Sequence, residues 1–130
     1  MKNLILICIV IVICCSTVVC EDPVPTPTLG FTTELKASVG IEKGYLEVKN
    51  LDSFEWRECK ISINSGFFDN GYYKKAGTFS SGTNKKISLL EFTNSNGNRF
   101  NILSLKPEKV TVRCYIQGDI SAFYIGHFQE

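Results

Sequence analysis

The sequence has one histidine among its 130 residues, and that scarcity closes off several chemistries. A hydrolytic triad needs a positioned base, a nucleophile and an orienting acid. The lone His127 lies near the C-terminus in a segment that reads as a terminal strand, which points to a structural or exposed role. A zinc centre needs four ligands at characteristic spacings, which one histidine and two cysteines outside the N-terminal segment do not supply. Gly66, Gly71, Gly77 and Gly82 are spread through turns and are not clustered ahead of a helix, so neither a phosphate loop nor a dinucleotide fingerprint is present. An excess of one charge is lacking too. Setting Lys2 aside, the 14 Lys and Arg become 13 and face 13 Asp and Glu, with no run of like charge longer than two neighbours. The chain order therefore shows no electrostatic footprint for nucleic acid and no polybasic patch for anionic lipid. Glu47, Asp52, Glu55, Glu58, Glu91 and Asp119 are scattered. A hydrolase could use two of these carboxylates, yet nothing in their spacing selects a pair. The reading is of a non-enzymatic chain without cofactor or metal.

What is present begins with a hydrophobic run. From Leu4 to Val19 only Ser16 and Thr17 interrupt Leu, Ile, Val and Cys, and Lys2 precedes the run. A positive start, an apolar stretch and a polar segment after it form the layout of a secretory signal. Sixteen helical residues span ~24 Å, short of the ~30 Å hydrocarbon core, which favours a signal over a permanent anchor. Residues 1–20 thus read as a signal peptide or membrane anchor, and as the only part to contact a membrane. Three fates stay open: cleavage before Glu21, acylation of Cys20 in a loose lipoprotein box, or retention. Residues 21–36 hold Pro23, Pro25 and Pro27, three of the chain's 4 prolines, and read as a stiff spacer, either a stalk or a leader.

Residues 37–130 read as one β domain. Leu46 and Val48 alternate with Tyr45, Glu47 and Lys49; Cys59, Ile61 and Ile63 share one face; Val110, Val112, Cys114 and Ile116 alternate most cleanly. Trp56 falls on the opposite parity to Cys59, so either it covers the outer face or a bulge re-aims it inward. Residues 72–79 and 85–92 flank Ser80–Asn84 and suggest a hairpin, and 99–105 a short strand or edge segment. About seven short strands separated by turns argue an all-β, antiparallel, immunoglobulin-like sandwich. Cys59 and Cys114 read as one disulfide pinning the two sheets together, or else as two buried thiols on facing strands. The loop that a Cys59–Cys114 bond would close gives ~4 kcal/mol in the chain-entropy model.

Two surface features carry a binding hypothesis. In the group Phe67, Phe68, Tyr72 and Tyr73, adjacent aromatics on a strand point to opposite faces, so one of each pair becomes available to stack on a sugar or anchor a peptide, unless the group caps the end of the sandwich. The stretch Thr93–Asn98 (TNSNGN) places oxygens at alternate positions as calcium loops do. It contains no carboxylate, and Asn and Gly suit a structural turn.

Asn50-Leu-Asp-Ser-Phe-Glu-Trp56 with Cys59 and Ile61-Ser-Ile-Asn64, then Tyr72-Tyr-Lys-Lys, Gly77-Thr-Phe-Ser-Ser-Gly82, Leu90-Glu-Phe-Thr-Asn-Ser-Asn-Gly-Asn-Arg-Phe-Asn101 and Phe123-Tyr-Ile-Gly126 form a pattern over residues 45–130. It resembles a family of small bacterial extracytoplasmic β-sandwich domains. The resemblance implies a sandwich outside the cytoplasmic membrane, after a hydrophobic segment or lipoprotein signal. It brings no activity, cofactor or catalytic residue. The family loop carries acidic residues where this chain has Asn94 and Asn96, which counts further against calcium. Arg99 is the charge that would pin the loop to a carboxylate or to carbonyls. The expectation is an exported or anchored binding domain of the cell envelope. It would meet a protein or glycan, not nucleic acid, through Phe68, Tyr72, Tyr73 and Arg99. A structural module of a larger envelope assembly is the alternative.

Overall fold

A computed structural model describes residues 33–66 and 71–129; the expected signal segment, most of the spacer, Phe67 and Phe68 lie outside the described residues. The described chain is all-β, with strands β1 (Thr33–Glu34), β2 (Ala37–Glu42), β3 (Tyr45–Asn50), β4 (Trp56–Ile63), β5 (Tyr72–Phe79), β6 (Asn84–Ser88), β7 (Lys109–Ile116) and β8 (Ile120–His127), and a single turn of 3-10 helix at Leu89–Glu91. Two sheets form the sandwich: a five-stranded one in the order β1-β8-β7-β4-β5 and a three-stranded one in the order β2-β3-β6. All pairings are antiparallel except β1 with β8. Inward side chains of both sheets fill the gap: Leu46, Val48 and Ile87 from one, Trp56, Ile61, Ile63, Val110, Val112 and Ala122 from the other. This is the period-two burial that the alternating segments demanded.

Four features differ from the sequence reading. Residues 33–36, read as part of the spacer, belong to the fold. Thr33–Glu34 pairs with β8, Leu35 donates its N–H to the carbonyl of Phe123 at 2.8 Å, and its side chain is only 2% exposed. Residues 72–79 and 84–88 do not form a hairpin, because β5 pairs with β4 and β6 pairs with β3, on opposite sheets. Ser80–Thr83 instead carries the chain from one sheet to the other. The open side there is closed by Lys85, whose Nζ donates to the Ala76 carbonyl at 2.9 Å, and by an ion pair of Lys74 with Glu91 at 3.0 Å. Residues 99–105 are no strand; Arg99 makes an isolated bridge to Thr93, and Asn101 then turns the chain.

The disulfide is the fourth. Cys59 and Cys114 are bonded, with Cα atoms 4.2 Å apart, but they do not pin the two sheets together as an immunoglobulin-type bond would. β4 and β7 are neighbours within one sheet. The bond became possible through a bulge: Arg57 pairs with Tyr115 and Lys60 with Arg113, so Glu58 and Cys59 together oppose Cys114. Glu58 takes φ 48°, a left-handed geometry that costs a non-glycine residue ~1 kcal/mol or more. The extra residue puts Trp56 and Cys59 on the same inward face despite their odd spacing, and Trp56 is fully buried against Phe79 with ring centroids 5.7 Å apart.

Candidate functional site: a basic face on the five-stranded sheet

The motif Asn50-Leu-Asp-Ser-Phe-Glu-Trp56 is architecture. Asn50 is fully buried; its Nδ2 donates to the carbonyls of Phe54 at 2.8 Å and Phe79 at 3.1 Å, and its Oδ1 accepts the Asp52 N–H at 2.8 Å. Asp52 Oδ2 accepts the indole N–H of Trp56 and the N–H of Lys36, each at 3.0 Å. A buried carboxylate is tolerated when its lone pairs are met in this way. The network ties the start of β4 to the ends of β1 and β5. Asn64 acts likewise at the other end, accepting the N–H groups of Glu108 at 2.7 Å and Lys109 at 3.2 Å while donating to Lys106 O at 2.8 Å. In the TNSNGN loop, Asn94 Oδ1 accepts from the backbone of Asn96 at 3.0 Å and Asn98 at 2.9 Å, so this oxygen serves the turn, as the turn reading expected.

The residues expected to bind fare unevenly. Tyr72 lies on inward parity, half-buried, and packs edge-on against Phe100, centroids 5.2 Å apart, at the margin of the core. Tyr73 points outward, with Lys60 Nζ 4.4 Å above its ring. Arg99 is exposed and pins nothing among the described residues. His127 is exposed on β8. Among the described residues no group of three or more His, Cys, Asp or Glu could hold a metal ion. Glu55 and Asp119 do share an open groove, but Asp119 is engaged by Arg57 at 2.9 Å and both carboxylates stand in water. A glycosidase acid works from a drier setting.

The outer face of the five-stranded sheet carries a feature the chain order hid. On β4, β5 and β7 the outward positions align across strands: Lys75 opposite Lys60, Lys60 opposite Arg113, and in the next row Tyr73 opposite Ser62 and Ser62 opposite Thr111. Strands stand ~4.8 Å apart, so three cations lie in a line ~10 Å long. Like charges directly opposed on neighbouring strands destabilise a sheet. Lys109 adds a fourth positive charge further along β7. None of the four makes an ion pair among the described residues. On the three-stranded sheet, by contrast, Lys86 is paired with Glu47 at 3.3 Å. Beyond Arg113 the row continues through Phe123 to Glu34 on β1. A shallow groove of about 320 Å³ runs between β4 and β7, lined by Lys60, Ser62, Lys109, Thr111, Arg113 and Ile125. Parity alone could have flagged Lys60, Ser62, Lys109, Thr111 and Arg113 as outward, but only strand pairing places them together. Compared with known proteins, the chain matches no family model, no curated protein and no solved structure.

Proposed function

We propose that this chain is an exported, non-enzymatic binding domain of the cell envelope, meeting an anionic partner, a glycan or protein, on the outer face of its five-stranded sheet. The observation that carries the reading is the row Lys75–Lys60–Arg113, three cations aligned across strands with no ion pair among the described residues, against the single carboxylate of Glu58 that lines a hollow with them. An anion bound along the row would offset the repulsion between the opposed cations. The cross-strand disulfide suits an oxidising compartment. The hydrophobic run at residues 4–19 and the resemblance to small extracytoplasmic sandwich domains support the same placement, outside the cytoplasmic membrane.

Two measurements test this. Intact mass of the protein from native soluble and membrane fractions separates cleaved, acylated and retained forms; recovery only from the cytosol, full-length and reduced, refutes export. Cosedimentation with isolated envelope material should fall for Lys60→Gln with Arg113→Gln and hold for Lys49→Gln on the other sheet. Equal retention of all three proteins refutes the face and favours a purely structural module.

A further inference from the structure

We infer that the groove between β4 and β7 takes tetrahedral oxyanion esters, sulfate or phosphate groups carried on a linear glycan. The inference rests on the binding reading above and narrows its ligand. Lys60 faces Arg113 and Ser62 faces Thr111 across one strand pair. Given ~4.8 Å between strands and ~6.6 Å between same-face residues of a strand, the four side chains stand at the corners of a small rectangle. Two cations occupy one short side and two hydroxyls the other. A carboxylate has two oxygens, and one guanidinium can satisfy both in a bidentate pair. A sulfate or phosphate ester turns three oxygens toward its site, and these need donors from several directions. The rectangle provides them: charge from Arg113 and from Lys60, whose Nζ, 4.4 Å over the Tyr73 ring, swings toward a bound anion, and neutral O–H donors from Ser62 and Thr111.

The extent of the charge argues for a polymer. Lys109 lies four residues from Arg113 along β7, ~13 Å away, and Lys75 lies two strands from Arg113, ~10 Å away in the perpendicular direction. Positive charge thus leaves the groove both ways across a flat face, which matches an extended chain with repeated anionic groups better than one small ion. Docking to an anionic lipid surface would call for an apolar wedge as well. Ile125 is the one large apolar side chain in the groove lining.

The test is calorimetric titration of the exported protein at low salt with heparin and phosphomannan as ester-bearing glycans. Alginate serves as a carboxylate glycan, polyglutamate as an acidic peptide, and single-stranded DNA and phosphatidylglycerol vesicles as the remaining anions. Heparin and phosphomannan should bind best. Ser62→Ala with Thr111→Ala should weaken them about tenfold, the size of a lost hydrogen bond to a charged group, and leave alginate unchanged. Lys60→Gln with Arg113→Gln should remove all binding; thermal melts confirm that each variant is folded. Equal affinity for alginate and heparin, with no effect of the hydroxyl variants, overturns the ester inference and leaves the basic face standing. Preference for polyglutamate, DNA or vesicles overturns it also. Absence of binding to every polyanion overturns both readings.

Discussion

Replacing Lys75 by Glu should stabilise the domain, while the same change at its neighbour Lys74 should destabilise it. Lys75 sits directly opposite Lys60 on the outer face and has no ion pair among the described residues. Glu at that position removes one opposed like-charge pair and creates an attractive one. Each such pair contributes ~0.2–1 kcal/mol, so the two changes together stabilise by about 1 kcal/mol at low salt. For a domain of this size that raises Tm by roughly 4–8 °C. Lys74 lies one residue away on the other face, its Nζ 3.0 Å from Glu91. Glu there breaks a half-exposed ion pair and sets two carboxylates together, a loss of about 0.5–1 kcal/mol. Both effects should shrink in 1 M salt, where the Debye length falls from ~10 Å at 0.1 M to ~3 Å. Urea melts at both salt concentrations are the assay, with heparin titration alongside. Lys75→Glu should bind heparin more weakly although it is the more stable protein, the trade-off expected where a sheet carries charge for a ligand. A Lys75→Glu protein that is less stable at low salt, or whose gain ignores salt, refutes the argument that the cation row is under repulsion.

The other predictions concern the frame. Trp56→Phe leaves Asp52 Oδ2 with one donor fewer and opens space beside Phe79, so urea unfolding should show a loss of about 3 kcal/mol; an unchanged midpoint means the indole hydrogen bond is dispensable. Gly71→Ala places a Cβ 2.5 Å from the Ser65 Cα and 2.7 Å from the Ile63 carbonyl, both backbone atoms that cannot swing aside. It should cost about 2 kcal/mol in a thermal melt, whereas Gly66→Ala, with nothing near, should not. The double variant Cys59→Ala with Cys114→Ala should lose up to ~4 kcal/mol and fold to the same near-ultraviolet spectrum, since the bond links strands already hydrogen-bonded to each other. A protein that no longer folds would show that the bulge needs the bond.

How far the fold was readable varies from element to element. The alternation of Val110, Val112 and Cys114 announced β7, and that of Leu46 and Val48 announced β3, because burial of one sheet face imposes a period of two that any sequence displays. The choice between an exposed and a bulged Trp56 was posed correctly by parity, but only the pairing of β4 with β7 could decide it. The 80–84 turn looked like a hairpin loop since turn chemistry marks a reversal without saying which strand receives the chain. Tyr72 and Tyr73 were distinguishable as facing opposite ways, yet which way was core depended on Phe100, 28 residues later. Leu35 gave no sign of entering the core because β1 is two residues long, too short for a period to show.

From the order of its residues alone the chain was committed to strands, to an inward and an outward set of side chains, to turns at its Asn and Gly clusters and to a single cysteine pair after residue 20. These are local consequences of backbone sterics and of hiding apolar groups from water. Which strands lie side by side was decided by packing across the whole domain. That choice turned an expected inter-sheet disulfide into a bond between neighbours and drew Lys60, Lys75 and Arg113, distant along the chain, into one row. Charge interacts through space over several ångströms, so a sequence balanced in sign from end to end can still fold into a sheet that lines up a row of cations.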